Sequence, residues 1–406
     1  MSIPIVPAME INKLNSMGIP KLPAETRIVV AMSGGVDSSV TAALMKLEGY
    51  DTIGLTMQLY NHSEATAKSK TCCAGQDVYD ARRVADKIEI PHYVVDYEST
   101  FKADVMDRFA DSYIRGETPV PCVLCNQTVK FRDLLKVAKN LGADVLATGH
   151  YIRRIQTADE IQMHRAVDLD KDQSYFLYAT TREQLKFLRF PLGNITKQKV
   201  REIARDIGIH ISEKIDSQDI CFVPSGHYSD VIQSLRPDAA VPGEIMHIDG
   251  RVLRSHDGVI HFTVGQRRGL GLGGEPEALY VVEIDPELAR VIVGPKSVLL
   301  RKSFYIHSVN WLGPESDHGE DGLSVQVKLR NSQEPLSAVI FRDRDKAAAQ
   351  VVLIEPQGAV APGQACVFYC GERVLGGGWI SRDSTIATHK PHNLRHAKIS
   401  PIVVAE

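Results

Sequence analysis

One short glycine-containing segment, Ser33-Gly34-Gly35-Val36-Asp37-Ser38, constrains the fold of this chain more than any other feature. It follows an apolar, strand-like run over 27–32 and precedes a helix-like run over 39–47. A strand, a glycine turn and a helix N-terminus form an anion site, because glycines let backbone N–H groups approach a phosphate and the helix dipole adds positive potential. The serine hydroxyls supply further donors, and Asp37 is a candidate to hold a metal ion that bridges phosphates.

The type of loop narrows the choice of nucleotide. The segment lacks the lysine of the Walker loop and the third glycine of the dinucleotide fingerprint, so neither of those motifs applies. It resembles the pyrophosphate loop of the ATP-pyrophosphatases, which split ATP into AMP and pyrophosphate. That resemblance implies ATP as the nucleotide, with Mg²⁺ beside it.

Strand-like and helix-like runs alternate from residue 27 to about 150. Strands are predicted over 52–59, 92–95 and 144–148, and helices over 76–87, 101–114 and 126–141. A further helix is predicted from Lys197 to Ile207, with Thr196 as its N-cap. This alternation predicts an α/β fold with a doubly wound parallel sheet, whose ligands bind at the carboxyl ends of the strands.

The texture changes from about Pro242 to short alternating strands broken by Gly, Pro and Asp. We therefore expect a small β-rich central domain and a C-terminal β-barrel-like domain after the nucleotide-binding domain. The predicted division is a flexible leader over 1–26, the nucleotide-binding domain over 27–211, the central domain over 212–300, and the barrel domain with a loose tail over 301–406.

Bulk properties limit the partners and the location. A formal charge of −3 over 406 residues gives no global attraction to nucleic acid, so RNA binding must come from local basic patches. No apolar run reaches the length of a membrane span and no signal peptide is recognisable, so we expect a cytoplasmic protein that does not bind membranes. Seven cysteines in such a chain do not indicate a disulfide framework.

Cys122 and Cys125 form a C-x-x-C pair just ahead of the helix predicted from Asn126. A structural zinc site, a redox pair and two packed thiols are all compatible with that spacing, although no second ligand pair is evident for zinc. A thiol at a helix N-terminus has its thiolate favoured by the dipole, which makes Cys125 a candidate nucleophile. Cys221 lies between a polar turn and an apolar strand, and alone it would be read as a core thiol.

Several other segments combine groups suited to polyanions or bases. Gly149 and His150 follow the last strand of the α/β block, where glycine lets backbone approach a ligand. Lys171-Asp172-Gln173-Ser174-Tyr175-Phe176 mixes charge, amide and aromatic groups, and two arginines lie in Gly265-Gln266-Arg267-Arg268-Gly269. A modest basic excess between Cys122 and Arg154 includes Lys130. Each of these segments is also compatible with a solvated turn or helix face.

In combination these motifs resemble the family of bacterial tRNA-specific 2-thiouridylases. The resemblance is carried in order by the Ser33 loop, Cys125-Asn126-x-x-Val129-Lys130-Phe131, Ala147 to Tyr151, Lys171 to Phe176, Ser217 to Phe222 and Gly265 to Gly269. It implies that ATP adenylates the C2 oxygen of the wobble uridine (position 34) of tRNA. Cys221 then receives sulfur as a persulfide from a donor protein, and Cys125 closes a transient disulfide with Cys221.

The resemblance also implies site residues and partners. Its nucleotide contacts fall on Ala31, Met32, Ser33, Gly34, Gly35, Val36, Asp37, Ser38, Met57 and Gly149. Its RNA contacts fall on Val120, Pro121, Cys122, His150, Lys171, Asp172, Gln173, Arg330, Asn331 and Gln364. The implied tRNAs are wobble-uridine tRNAs of the Lys, Glu and Gln types, and we expect tRNA binding to bring Cys125 and Cys221 together.

Cys122 departs from the family pattern, in which many members have Asp at this position. Three thiols, Cys122, Cys125 and Cys221, raise the alternative of a [4Fe-4S] cluster with one open iron. Two further alternatives are another pyrophosphate-loop ligase, such as an amide ligase or lysidine synthetase, and a non-catalytic RNA-binding protein. Neither of these needs sulfur-carrying thiols, so replacement of Cys125 or Cys221 discriminates them.

Overall fold

The α/β part is built on seven strands in the first half of the chain. They are β1 (Arg27–Ala31), β2 (Asp51–Gln58), β3 (His92–Asp96), β4 (Val145–Thr148), β5 (Ile152–Gln156), β6 (Ile161–Arg165) and β7 (Leu188–Arg189). Five of them form a parallel sheet in the order β3-β2-β1-β4-β7. The structure is a computed structural model, and it describes residues 14–60, 73–214, 220–223, 227–314, 322–343, 345–358 and 360–382.

In the described part of the chain, eight stretches that are α-helical or mixed α- and π-helical accompany these strands. They are α1 (Val36–Leu47), α2 (Cys73–Lys87), α3 (Glu98–Phe101, continued by Lys102–Asp107 and Arg108–Ile114), α4 (Pro121–Cys125, continued by Asn126–Leu134 and Leu135–Asn140), α5 (Ser174–Leu177), α6 (Arg182–Phe187), α7 (Lys197–Asp206) and α8 (Tyr228–Leu235). The middle segments of α3 and α4 are π-helical. No helix among the described ranges is long and apolar enough to cross a membrane.

Both faces of the parallel sheet are buried, as the predicted doubly wound fold requires. Ile28 and Val30 of β1 pack in one core with Val40 of α1, whereas Val29 packs in another core with Phe131 of α4. Consecutive residues of a strand point to opposite faces, so β1 is apolar along its length because helices cover both sides. The predicted fold class is confirmed.

The first residues of helices α7 and α4 can be compared with the helix starts predicted from the sequence. The Thr196 hydroxyl accepts a hydrogen bond from the backbone N–H of Lys199 at 3.3 Å, so the predicted N-cap of α7 is confirmed. Helix α4 begins at Pro121, five residues before the predicted start at Asn126. Proline suits the first position of a helix because its missing N–H has no partner there in any case. That signal was present in the sequence and places both Cys122 and Cys125 inside the helix.

The second half of the chain forms two further sheets. Its strands are β8 (Gly243–His247), β9 (Val252–His256), β10 (Leu279–Asp285), β11 (Arg290–Pro295), β12 (Arg301–Trp311), β13 (Leu323–Lys328), β14 (Leu336–Asp343), β15 (Ala348–Gln357), β16 (Ala365–Cys370) and β17 (Arg373–Ile380). A four-stranded sheet has the order β10-β11-β8-β9, and β12-β15-β14-β13-β16-β17 closes through a β12–β17 pairing into a six-stranded barrel. The predicted C-terminal barrel is confirmed.

The hairpin β5–β6 joins the α/β part to this barrel. Strand β6 pairs antiparallel with β17, with Arg373 opposite His164 and Val374 opposite Met163. Met163 and Val374 share a core with Tyr175 of α5 and Val367 of β16. The loops of the barrel are therefore held beside the carboxyl ends of the parallel strands, where the candidate site lies.

Candidate active site

The glycine loop between β1 and α1 is organised by its own serines. The backbone N–H of Ser33 donates to the Ser38 hydroxyl oxygen at 3.0 Å, and the Ser38 hydroxyl donates to the Gly35 carbonyl at 3.2 Å. Gly34 has φ of +74°, a left-handed conformation that glycine adopts without strain. Within the described residues no side chain caps α1, so its first-turn N–H groups remain for an anion.

Gly149, at the end of β4, lies directly against this loop. A Cβ atom at Gly149 would lie 2.7 Å from the Ser38 nitrogen and 2.8 Å from the Asp37 carbonyl carbon. Both neighbours are backbone atoms that no side-chain rotation can move. The missing side chain of Gly149 therefore lets β4 and the loop form one wall, and Met57 lies near the carboxyl end of β2 in the same sheet.

Asp37 of the loop carries an ion pair that sequence reasoning missed. The Lys197 ammonium lies 2.8 Å from both carboxylate oxygens, and the Tyr151 hydroxyl donates to one of them at 2.8 Å. The Lys197 side chain is 9% exposed and that of Asp37 is 29% exposed. A lysine at the first position of α7 is unfavourable for the helix dipole, so its position in the sequence indicated that the side chain is paired with an acidic group elsewhere.

Three thiols lie near one another, two at the start of α4 and one beside Phe222. Cys125 is buried, Cys122 and Cys221 are exposed, and Cys221 lies close enough to Cys125 and Cys122 for their charges to interact. Cys125, Val129 of α4 and Phe222 belong to one apolar cluster. The fold thus makes Cys125 and Cys221 neighbours. The expectation that tRNA binding brings the two sulfur atoms into bonding contact stays a prediction.

The thiols are not activated by the helix dipole as we expected. Burial raises the pKa of Cys125. Cys221 is exposed as a residue, but surrounding protein atoms shield its sulfur from water, and this desolvation raises its pKa to about 12, with repulsion by Cys125 and Cys122 added. Cys125 is the fifth residue of α4, and the dipole acts mainly within the first turn. The positive charge of Lys130 acts in the opposite direction and favours all three thiolates, although the net pKa of each thiol stays raised because burial has the larger effect.

Lys130 and His150 connect the thiols to the loop. The pKa of His150 falls to about 3, first because the ring is buried and second because Lys130 is near. Its Nδ1 lies 2.9 Å from the Thr148 hydroxyl, and its ring packs edge-on against Phe131. His150 is thus a neutral hydrogen-bonding group, and its neighbour Gly149 contacts the loop.

The segment before Cys122 is tied to the barrel. The Thr118 N–H donates to the Pro362 carbonyl at 2.7 Å, and the Gln364 amide donates to the Thr118 carbonyl at 2.9 Å. The Tyr175 hydroxyl donates to the Leu329 carbonyl at 3.2 Å, next to Arg330. These contacts bring Val120, Pro121 and Cys122 near Gln364, and they bring the exposed Arg330 and Asn331 beside α5.

The Lys171 to Gln173 segment divides into supporting and accessible groups. Asp172 is 6% exposed and accepts hydrogen bonds from the Ser174 hydroxyl at 2.8 Å and the Arg165 guanidinium at 3.2 Å. The Gln173 side chain accepts from the Tyr151 N–H at 2.9 Å. Asp172 therefore holds the turn that presents its neighbours.

The remaining candidates lie elsewhere or outside the described residues. Arg267 lines an open cavity with residues 269–279 in the central sheet region. Cys366 is buried in the barrel core. Ser217 to Asp219 and Cys72 lie outside the described residues.

Metal binding by the thiols finds no support. Among the described residues no group of three or more His, Cys, Asp or Glu side chains is placed to hold a metal ion. The set Cys122, Cys125 and Cys221 therefore does not have the arrangement of cluster ligands, and the iron–sulfur alternative is not favoured.

A phosphate-binding loop at the edge of a parallel sheet, with a thiol cluster beside it, defines a class of nucleotide-dependent sulfur-handling enzymes. Family models match residues 26–225 as "tRNA methyl transferase HUP domain", 229–295 as "tRNA methyl transferase PRC-barrel domain" and 301–380 as "Aminomethyltransferase beta-barrel domain". The "tRNA-specific 2-thiouridylase MnmA" of Rhodospirillum centenum is 57% identical over 378 residues, which is 91% of this chain and 95% of the relative. The protein of the same name from Paracoccus denitrificans is 56% identical over 371 residues, with the same coverage of both chains.

The chain therefore belongs to the tRNA-specific 2-thiouridylase family. The family models mention methyl transfer, but relatives matched along nearly their whole length decide the assignment. A solved "4-thiouridine synthetase - RNA complex with bound ATP" is also similar, at 18% identity and a TM-score of 0.34, and covers 52% of this chain and 51% of that one.

Proposed function

We propose that this protein is a tRNA-uridine 2-sulfurtransferase that uses ATP to replace the C2 oxygen of the wobble uridine (position 34) by sulfur. One observation carries the proposal: Gly149-His150 lies between the ATP loop and the thiol cluster. Gly149 approaches the backbone of Asp37 and Ser38, whereas His150 and the three thiols share Lys130 as a neighbour. We infer that one base reaches both the loop that releases pyrophosphate and the thiols that carry sulfur.

The reaction divides into two steps. In the first, the C2 oxygen of uridine attacks the α-phosphorus of ATP, which forms the C2–O–P bond and releases pyrophosphate. The loop N–H groups bind the phosphates, and we propose that Ala31, Met32, Ser33, Gly34, Gly35, Val36, Asp37, Ser38, Met57 and Gly149 make the nucleotide site. Because Asp37 is already paired with Lys197 and Tyr151, Mg²⁺ is expected to bind the ATP phosphates rather than this carboxylate.

In the second step, the terminal sulfur of a Cys221 persulfide attacks C2 and AMP leaves. The Cys125 thiolate then attacks the Cys221 sulfur, which breaks the bond to the transferred sulfur, releases 2-thiouridine and forms a Cys125–Cys221 disulfide. A thiol reductant restores both thiols. The sulfur comes from a persulfide-carrying donor protein, and Lys130 stabilises the thiolate that each exchange requires.

The RNA face is proposed to comprise Val120, Pro121, Cys122, His150, Lys171, Asp172, Gln173, Arg330, Asn331 and Gln364. Asp172 acts there through the turn that it holds. The proposed substrates are wobble-uridine tRNAs of the Lys, Glu and Gln types, and because tRNA is a cytoplasmic substrate we propose that location. The proposed domain division remains 27–211, 212–300 and 301–406.

Nucleoside analysis of tRNA from a strain that lacks this protein tests the proposal. We expect 2-thiouridine derivatives to disappear, and to return with the wild-type gene but not with Cys125→Ser or Cys221→Ser. Cys370→Ser, at the partly exposed end of β16, is the matched cysteine control. Undiminished thiolation in the deletion strain, with no second enzyme present, would contradict the proposal, and full complementation by both thiol variants would favour a different pyrophosphate-loop ligase.

A further inference from the structure

Lys214 contacts the backbone of the ATP loop. Its ammonium donates to the Gly34 carbonyl at 3.0 Å, to the Asp77 carboxylate at 2.7 Å and to the Asp80 carboxylate at 2.7 Å. The Lys214 side chain is 31% exposed and that of Asp80 is 6% exposed. Gln76 donates a further hydrogen bond to Asp80 at 2.7 Å, so the anchor on α2 is itself held.

The Gly34 carbonyl matters because of the peptide that it belongs to. A peptide group is planar and trans, so its C=O and the following N–H point in opposite directions. A Gly34 carbonyl held by Lys214 therefore directs the Gly35 N–H to the other side of the loop, where phosphate binds. Two glycines in succession resist rotation of this peptide little, because neither has a side chain that restricts the backbone.

The packing around Gly34 shows how closely the loop and α2 fit. A Cβ atom at Gly34 would lie 2.2 Å from the Asp77 carbonyl oxygen, so loop backbone and helix backbone are in direct contact. Lys214 bridges this same junction. Its three acceptors belong to two elements, the loop and α2, whereas an ordinary surface ion pair joins two side chains.

We propose that Lys214 is a positioning residue of the ATP site, which fixes the Gly34–Gly35 peptide so that its N–H faces the phosphates. In the sequence, Lys214 precedes Cys221 by seven residues. The inference rests on the proposed ATP-dependent step. It assigns to Lys214 no contact with ATP, tRNA or sulfur.

A simpler role is competing: Lys214 balances the charges of Asp77 and Asp80. The two roles are separated by a charge-compensated variant, Lys214→Met with Asp77→Asn and Asp80→Asn. If charge balance is the whole role, this triple variant recovers both stability and ATP use. If the carbonyl contact is the role, it recovers stability and remains defective with ATP.

The experiment compares five proteins: wild type, K214M, K214R, the triple variant and K199M. For each protein we measure the melting temperature, the equilibrium binding of a non-hydrolysable ATP analogue, and the rate of tRNA-dependent pyrophosphate release. Lys199 forms an exposed ion pair with Glu202 at 3.2 Å and serves as the matched lysine control. We expect K214M and the triple variant to weaken analogue binding about 10-fold and to raise the KM for ATP similarly, since misplaced binding groups cost on the order of 10- to 100-fold. K214R is expected to restore most of the loss, and K199M to match wild type.

Wild-type analogue affinity in K214M, or in the triple variant, overturns the inference. If K214M does not fold, the charge-balanced triple variant and K214R decide by the same readouts. The binding readout is independent of sulfur transfer. A wild-type protein that binds the analogue but makes no 2-thiouridine contradicts the proposed function and leaves the role of Lys214 to be judged by the variants.

Discussion

Gly149→Ala adds one methyl group between the end of β4 and the ATP loop. The Cβ atom would lie 2.7 Å from the Ser38 nitrogen and 2.8 Å from the Asp37 carbonyl carbon, whereas ordinary contact begins at 3.4 Å. Because the neighbours are backbone atoms at the start of α1, the relief must come from the loop or from β4. A shift of about 0.7 Å is required.

The size of the shift sets the expected effect. Misplacement of a reacting group by ~1 Å costs roughly 100-fold in rate, so about 0.7 Å predicts a fall of roughly 10- to 100-fold in kcat/KM for ATP. Overpacking of a rigid site also costs about 1–3 kcal/mol in the free energy of unfolding. The variant is therefore expected to fold, with a modestly lower Tm and a large loss of activity.

The assay is tRNA-dependent pyrophosphate release at varied ATP, alongside thermal unfolding. Gly358→Ala is the control, because its Cβ atom would meet only the Leu299 side chain at 3.7 Å, an ordinary contact. That variant should match wild type in both measurements. Wild-type kcat and KM for ATP in Gly149→Ala would refute the inferred wall between β4 and the loop.

Three further predictions concern charge. Lys197→Met leaves the Asp37 carboxylate without its cation. The free energy of unfolding in urea should therefore fall by about 1–3 kcal/mol after allowance for solvent screening, and the rate of pyrophosphate release should also fall. A change no larger than that of K199M contradicts this prediction. Lys130→Met removes the positive charge that favours the thiolates, so the pH profile of thiol alkylation should move to higher pH by about one unit. K130R keeps the charge and should restore the wild-type profile. An unchanged profile in Lys130→Met contradicts the inferred effect of Lys130 on the thiols. His150, with its pKa lowered to about 3, should stay neutral from pH ~5 to ~8 in ¹⁵N NMR spectra. As the pH falls, the unfolded state binds the proton first, at about pH 6.5. The contribution of His150 to the free energy of unfolding is therefore full above that pH and is lost as the pH falls toward 3. An inflection near pH ~6.5 in the ¹⁵N chemical shifts of His150 in the native protein refutes this prediction.

Local patterns predicted the elements of the site well, for physical reasons. The apolar run of β1 and the glycine turn before α1 are each short-range signals, as is the Thr196 cap, and the structure has all three. The helix predicted over 126–141 is present as part of α4 and buries residues such as Phe131. Its start was misjudged because the proline at 121 was not used as a helix signal.

The partners of these residues lay beyond the reach of local patterns. Lys197 meets Asp37 across 160 positions, and Lys214 meets Gly34 across 180. The pairing of β6 with β17 likewise joins residues far apart in the sequence, such as His164 and Arg373. The thiol pKa depends on burial, which the C-x-x-C spacing does not encode, so the expected activation of Cys125 by the dipole failed. Lys130 was noted as part of a basic excess, but its effect on the thiols was not predicted.

A single-turnover reaction tests most directly whether Cys125 and Cys221 transfer sulfur beside the ATP loop. Persulfidated protein is mixed with ATP and tRNA without reductant, and 2-thiouridine and the Cys125–Cys221 disulfide are quantified by mass spectrometry. We expect one disulfide for each 2-thiouridine formed, and neither product in Cys221→Ser. A full yield of 2-thiouridine with both thiols still reduced would contradict the proposed sulfur transfer.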